Sequence, residues 1–256
     1  MPVPITVVGE GALASLHRRV LGQHAACRML AGELPGRDGV VDVCGPPEVC
    51  ADVLGVLVRQ RLPIALSLPT QWSDEALDRL FQATRKRRIP AVALGSLRVF
   101  PAAAKLKEIV SSDILGALHS VRLVRRGMDL KPATDEPDAR FAAWRDADLC
   151  RWLAGDTGCV LDILVEHEVG DCEREVVVTA ENGQIEARFA AGQTPELAVC
   201  LGGHSRPRRV PALGAAAAHL SELQLLVAAR QYGRPWLLLP SLGDVVDACG
   251  GGGSAR

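Results

Sequence analysis

Three small residues near the N-terminus are spaced as in a phosphate-binding loop. Gly9, Gly11 and Ala14 fit the pattern G-x-G-x-x-[G/A], between an apolar run and a helical pattern. The first glycine permits a tight turn, the second lets a pyrophosphate approach the backbone, and the alanine permits close helix–strand packing. The helix N-terminus around Ala12 would offer N–H groups to the phosphates. Dinucleotide binding is the predicted chemistry, and Glu33 is either its ribose-binding carboxylate or an ordinary solvated loop residue.

Such a loop needs a strand before it and a helix after it, and the first hundred residues supply both. Short β-branched runs predict strands at 4–8 and 40–44, and short apolar runs predict strands at 64–68 and 91–94. Residues 27–31 could form a further strand. Helical patterns occupy 12–23, 48–60 and about 73–88. The basic run at 85–88 is interpreted as a helix end, with a phosphate or partner patch as the alternative. This alternation predicts an α/β, Rossmann-like parallel sheet covered by helices.

The pattern changes near residue 118. We expect a one-sided strand at 119–126, a polar loop at 127–140, a short helix within 146–155 and a long helix at 215–232. Asn182-Gly183 between two alternating runs predicts a hairpin. These elements indicate a smaller α+β domain with an open, mainly antiparallel sheet. The predicted domains are 1–117 and 118–249, followed by a flexible tail at 250–256.

Composition excludes several classes of partner and site. The net charge is −1, from 29 basic and 30 acidic residues, and aromatic residues make up 4% of the chain. The net charge is too small, and the aromatic residues are too few, to favour nucleic acid or a membrane as partner. The eight cysteines show no zinc-ligand spacing, so we expect free thiols, no metal and a cytoplasmic location. A composition rich in Ala, Arg, Leu and Val is typical of a GC-rich bacterial genome.

Five segments together resemble the glucose–fructose oxidoreductase/inositol dehydrogenase (Gfo/Idh/MocA) family, over about residues 4–249. They are residues 5–14 (ITVVGEGALA), 40–69 (VVDVCGPPEVCADVLGVLVRQRLPIALSLP), 97–123 (LRVFPAAAKLKEIVSSDILGALHSVRL), 146–156 (DADLCRWLAGD) and 219–239 (HLSELQLLVAARQYGRPWLLL). The resemblance implies NAD or NADP as cofactor. It adds Gly45, Pro46, Pro47, Ser67 and Arg98 to the predicted cofactor-binding residues.

The family's catalytic residues are replaced in this chain. Leu68 stands where the family has the Lys of its Glu-Lys-Pro signature, and Phe141 and Arg145 stand where it has an Asp and a His. Leucine and phenylalanine cannot transfer a proton, and arginine is a poor general base. Asp148 keeps a carboxylate, which we interpret as a charge near a helix N-terminus. The segment between Met29 and Val40 is also too short for the further helix and strand of the family.

Two other residues, His167 and Cys50, could replace the lost catalytic groups. His167 could titrate near neutral pH but fits a strand surface better, and Cys50 could be a reactive thiol but fits a buried helix position better. Arg98 and Arg145 could form an anion-binding corner.

Three functions therefore stay open at the level of sequence. The favoured one is a catalytically divergent binding or partner subunit, a pseudoenzyme, that forms a homodimer or a heteromer with a paralogous or pathway protein through its open sheet. The alternatives are an active NAD(P)H-dependent reductase that uses other residues, and a non-redox enzyme that uses the same cleft.

Overall fold

The computed structural model describes residues 1–67, 71–127, 139–166, 172–190, 193–212, 215–232 and 239–250. Their contacts define two compact units. The first contains residues 1–96 and the described residues from 219 onward, and the second contains the described residues of 97–218. The expected boundary at 117 differs from this division, because the helix after residue 100 packs in the second core and the helix after residue 219 packs in the first.

The first unit is built on a parallel five-stranded sheet. Its strands are β1 (Val3–Val8), β2 (Cys27–Met29), β3 (Val40–Cys44), β4 (Ile64–Ser67) and β5 (Ala91–Leu94), in the order β2-β1-β3-β4-β5. Its helices are α1 (Gly11–Gln23), α2 (Pro47–Gln60), α3 (Asp74–Arg87) and α7 (Leu242–Gly250). Every residue of β3 is buried, as expected for a central strand with helices on both faces. The predicted Rossmann-like sheet is therefore present.

Local sequence signals account for the ends of these elements. The Ser73 hydroxyl accepts a hydrogen bond from the Ala76 N–H at 3.2 Å and caps α3, which ends in the basic run, with Arg88 in the left-handed conformation. Strand β2 ends at Met29, two residues earlier than expected. Residues 30–39 contain neither helix nor strand, so β2 forms one edge of the sheet.

The second unit pairs a six-stranded sheet with two helices. The strands are β6 (Leu118–Arg126), β7 (Val160–Glu166), β8 (Glu173–Ala180), β9 (Gly183–Ala190), β10 (Glu196–Leu201) and β11 (His204–Arg209). Their order is β11-β10-β9-β8-β6-β7; only the β6–β7 pair is parallel. The helices α4 (Pro101–Val110) and α5 (Ala139–Ala154) cover one face. The last long helix, α6 (Ala215–Tyr232), belongs to the first unit from His219 onward. The mixed, mainly antiparallel sheet confirms the expected fold class.

One prediction for this part of the chain needs correction. Helix α5 has 16 residues and begins at Ala139, whereas the sequence predicted a short helix from about residue 146. The polar sequence before residue 146 concealed its N-terminal part, because Phe141 and Trp144 are its only large apolar residues there and both are buried. The β10–β11 hairpin and helix α7 were not predicted. Most of the loop expected at 127–140 lies outside the described residues.

Candidate functional site

The glycine loop has the geometry that its sequence predicts. Gly9 has φ of +120°, and a Cβ built on it would lie 1.9 Å from the carbonyl oxygen of Cys44. Gly11 has φ of +90°, begins α1 and has open space where a Cβ would lie. Ala12 is exposed, whereas Ala14 is buried against the sheet. Because the preceding residue makes no side-chain cap, the first N–H groups of α1 remain available to an anion.

The turn after β3 lies beside this loop. The neighbouring strands β1 and β3 end together, with Val8 opposite Val43, so that Gly45 comes close to Gly9. Pro46 and Pro47 start α2, and Pro47 occupies the first turn, where a missing N–H costs nothing. The Trp72 indole donates to the Gly45 carbonyl at 3.0 Å and fixes the turn. The N-termini of α1 and α2 thus lie next to each other, at the carboxyl ends of the adjacent strands β1 and β3.

A cavity of about 700 Å³ adjoins the loop on the β2 side. Arg18 of α1 is one of its lining residues and donates to the Gly9 carbonyl at 2.6 Å and the Val7 carbonyl at 3.2 Å. Most of the other lining residues are apolar: Val7, Val8, Met29, Leu30, Ala31, Leu34, Val53 and Val56. An apolar hollow with one cation beside a phosphate-type loop fits the base and phosphate of a nucleotide.

Glu33 is placed differently from the other predicted ligands. It is exposed, four residues beyond the end of β2, and does not line the cavity. Its backbone carbonyl accepts a 2.5 Å hydrogen bond from the Thr6 hydroxyl, which holds the chain against β1. A ribose contact by its carboxylate stays a prediction.

Ser67 belongs to a fully buried polar cluster. We call this the His17 cluster; it contains His17, Asp42, Cys44, Ser67, His219 and Glu222. Ser67 donates to Asp42 Oδ1 at 2.9 Å, and the Cys44 thiol lies 3.4 Å from the same oxygen. The hydroxyl predicted to contact a cofactor is therefore bonded within the core.

Two histidines connect the carboxylates of the His17 cluster. His17 Nδ1 lies 2.5 Å from Asp42 Oδ2, and His17 Nε2 directly contacts His219 Nε2. His219 Nδ1 lies 3.1 Å from Glu222 Oε2, and the Glu222 carboxylate accepts from the backbone N–H groups of Gly95 and Ser96 at 2.7 and 2.8 Å. The connected chain thus runs from β3 through α1 and α6 to the loop after β5.

Burial and neighbouring charge act in opposite directions in this cluster. Burial alone would lower the pKa of His17, but the Asp42 charge and hydrogen bond raise it above its ordinary value. Burial would raise the pKa of Asp42, and His17 with the hydroxyl and thiol donors lowers it instead. The pKa of the Cys44 thiol is raised by burial and by Asp42.

The other predicted residues that the structure describes are buried, most of them in the second unit. Arg98 is paired at two points with Asp148, at 2.6 and 3.1 Å, and its guanidinium lies 5.7 Å from the centre of the Trp152 ring. Asp148 lies in the interior of α5, so the interpretation as an N-terminal helix charge is wrong. The charge of Arg98 is compensated inside the core, which does not support the anion-binding corner.

Phe141 and Arg145 form part of the same core. Phe141 is 1% exposed and Arg145 is 8% exposed. The Arg145 guanidinium lies 5.1 Å from the centre of the Phe141 ring and 5.6 Å from that of Phe100. Cys50 is fully buried, and burial raises the pKa of its thiol, which disfavours a reactive thiolate. Leu68 and His167 lie outside the described residues.

The sequence reasoning missed His17, Asp42, His219 and Glu222. A signal was present, because Asp42 interrupts the apolar run of β3 and His17 lies on the buried face of α1 with Leu13, Ala14 and Leu21. A polar residue at a core position must find a partner. Nothing local identified that partner, which lies 202 residues away in the case of His219.

Comparisons with known proteins give a fold but no sequence family. No protein-family model matches the chain, and no curated protein matches it in sequence. One similar structure is an oxidoreductase from Agrobacterium radiobacter in complex with NAD+, L-tartaric acid and magnesium, at 11% identity and TM-score 0.75, covering 97% of this chain and 94% of that chain.

Two further solved structures are also similar in fold to this chain. Biliverdin reductase from Synechocystis, in complex with biliverdin and NADP+, shares 11% identity at TM-score 0.67, covering 98% of this chain and 96% of that chain. A putative myo-inositol dehydrogenase from Sinorhizobium meliloti shares 14% at TM-score 0.66, covering 96% and 94%.

These neighbours show which fold the chain has. They include oxidoreductases of the Gfo/Idh/MocA type, and the present chain has their combination of a Rossmann-like parallel sheet and a second, mainly antiparallel sheet. At 11–14% identity the likeness establishes the fold. Among the described helices, none combines the length and apolar character needed to cross a membrane.

Proposed function

We propose that this protein is a catalytically divergent homologue of NAD(P)-dependent oxidoreductases that binds a dinucleotide and acts as a binding or partner subunit in a bacterial pathway. The observation that carries the proposal is a contrast between two regions. The glycine loop keeps an accessible helix N-terminus, whereas the α5 positions that resemble the family's catalytic pair are buried in a core.

Several features support nucleotide binding. Gly11 has open space beside the N–H groups of α1, and Arg18 brings a positive charge to the same loop. The adjoining apolar cavity could hold a base. Similar structures were determined with NAD+ or NADP+ bound, which supports either cofactor here.

The charged residues of α5 support the loss of proton-transfer chemistry. Asp146 accepts from Arg125 and Arg174, each at 2.7 Å, and Asp148 is paired with Arg98. Asp146 is fully buried and Asp148 is 1% exposed. Buried carboxylates whose oxygens are occupied by guanidinium groups are not placed to contact a substrate. An active reductase is the second candidate, because hydride transfer depends mainly on cofactor positioning, and one structural neighbour is named a reductase.

The exposure of strand β7 supports the proposal that the protein is a subunit of an oligomer. The strand lies at one edge of the second sheet, and all of its residues are exposed, including Val160, Leu161, Ile163, Leu164 and Val165. An apolar edge strand with unpaired backbone groups favours pairing with another chain. The face of the sheet away from the helices is instead charged: Arg126 contacts Glu166 and Glu175 there. We therefore propose the β7 edge, rather than the open face, as the contact of a homodimer or a heteromer.

The proposed binding of a nucleotide can be tested by a substitution that adds one negative charge. Ala12→Asp places a carboxylate at the exposed start of α1, where the helix dipole tolerates it but a phosphate would be repelled. Thermal stabilisation is measured with NAD+, NADH, NADP+ and NADPH. The wild type should be stabilised by at least one of them, and the variant should lose that shift while keeping its own unfolding temperature.

The matched control is Ala104→Asp, which adds the same charge at an exposed position of α4 in the second unit. It should bind as the wild type does. A wild type with no shift at millimolar concentrations of all four dinucleotides would disprove the nucleotide proposal. Steady oxidation of NADH by a pathway metabolite would instead favour the active reductase.

A further inference from the structure

The two histidines of the His17 cluster, if both are neutral, carry one hydrogen too few for the contacts that they make. The chain of the cluster has three contacts: Asp42 to His17, His17 to His219, and His219 to Glu222. Each needs one hydrogen between its two atoms, but two neutral imidazoles supply only two. With both carboxylates ionised, one additional positive charge must lie in the chain.

Four donor atoms of different chemistry surround one end of that chain. They are His17 Nδ1, Asp42 Oδ1, Cys44 Sγ and Ser67 Oγ. Three separations are known: nitrogen to sulfur 3.2 Å, sulfur to carboxylate oxygen 3.4 Å, and hydroxyl to carboxylate oxygen 2.9 Å. A tetrahedral zinc ion with ordinary bond lengths needs about 3.3–3.6 Å between ligand atoms, so the 2.5 Å contact between His17 Nδ1 and Asp42 Oδ2 must open when the ion enters.

Imidazole, thiolate and carboxylate together form a donor set of the zinc class. The ligand atoms of His17, Asp42 and Cys44 all lie within 4.8 Å of one another. These three residues and Ser67 are at most 2% exposed. This is the closed environment of a structural site, without a position open to substrate.

We propose that His17, Asp42, Cys44 and Ser67 form a buried structural site for a zinc-class divalent metal ion. The ion supplies the missing positive charge. On binding, the Cys44 thiol releases its proton, and His17 keeps its single proton on Nε2.

The rest of the cluster then accounts for every hydrogen. His17 Nε2–H donates to His219 Nε2, and His219 Nδ1–H donates to Glu222. The Glu222 carboxylate is held by the Gly95 and Ser96 N–H groups. A ligating histidine whose second nitrogen donates to a fixed acceptor is the usual arrangement at zinc sites. His219 and Glu222 are therefore positioning residues, and the ion would link α1, β3, β4 and α6.

Metal analysis of the full chain, purified without a polyhistidine tag, tests the proposal. We expect about one zinc-class ion per chain. Because the site is closed, the unfolded chain is refolded with Co²⁺, and the visible and charge-transfer absorption of a tetrahedral thiolate-bound cobalt is recorded. His219→Gln should keep the cobalt spectrum but lower metal affinity roughly 10- to 100-fold, because His17 loses its fixed acceptor.

Cys44→Ala should lose the metal and the charge-transfer band, while Cys50→Ala, which removes a buried thiol outside the cluster, should keep both. If Cys44→Ala fails to fold, the thiolate band of wild-type cobalt protein decides. A metal-free wild type that refolds without cobalt absorption would overturn the proposal, since the extra charge would then be a proton shared by the two histidines. Metal that is retained in a folded Cys44→Ala variant would overturn it as well.

Discussion

Arg98 and Asp148 form a two-point ion pair in the second unit, with nitrogen–oxygen distances of 2.6 and 3.1 Å and side-chain exposures of 7% and 0%. The pair joins the segment before α4 to the interior of α5. Sequence alone suggested a ligand contact for the arginine and a helix-end charge for the aspartate. The observed pairing makes both of them parts of a core.

Breaking this pair should destabilise the second unit strongly. Asp148→Asn leaves a buried guanidinium without its counter-charge, and we expect a loss of about 3–5 kcal/mol in the free energy of unfolding. The double variant Arg98→Met/Asp148→Leu should lose clearly less free energy of unfolding than the sum of the losses of Arg98→Met alone and Asp148→Leu alone. Urea unfolding measures both. A fully stable Asp148→Asn protein would contradict the structural role.

The two glycines of the loop should respond differently to alanine. Gly9→Ala brings a Cβ to 1.9 Å from the Cys44 carbonyl oxygen, whereas a Cβ on Gly11 meets no atom within 4 Å. Gly11→Ala therefore carries only backbone strain of about 1–3 kcal/mol. Gly9→Ala should cost distinctly more, or prevent folding, as judged by denaturant unfolding of both. Equal losses would show that the close approach to β3 is not maintained.

The ion pairs on the open face of the second sheet predict a pH dependence. Hydrogen bonding from Arg126 is the main cause that lowers the pKa of Glu175 below its ordinary value. Its stabilisation is therefore full above the unfolded-state pKa and is lost as pH falls through the lower folded-state pKa. Glu175→Gln should cost up to about 1 kcal/mol at neutral pH and almost nothing below both pKa values. Unfolding at several pH values checks this, and a difference that persists in acid would refute it.

The exposed strand β7 predicts a change in molecular size. Ile163 is 38% exposed at the sheet edge, so Ile163→Lys should leave the fold intact and weaken chain–chain pairing. Glu186→Lys, on an exposed position of β9, is the control. Light scattering should report a dimer or larger species for the wild type and control, and a monomer for Ile163→Lys. An unchanged size would place the contact elsewhere.

Much of the fold could be predicted from local sequence. The strands at 40–44 and 91–94 and the helix at 215–232 were predicted with the observed bounds, because each is a mainly apolar run with Gly or Pro directly before and after it. The glycine loop was also identified, because the positive φ angles of its turn require glycine at fixed positions that are close together in sequence. Strand β2, the length of α5 and the β10–β11 hairpin were less accessible, because their polar or short segments depend on packing partners.

The sequence by itself determined the parallel sheet and the loop at Gly9 and Gly11. Each of these depends on residue type at one place. Only the tertiary structure decided that Ser67 bonds to Asp42, that Arg98 pairs with Asp148, and that His17 meets His219. The physical reason is that a buried polar group is satisfied by whichever partner the packing brings near, at any distance along the chain.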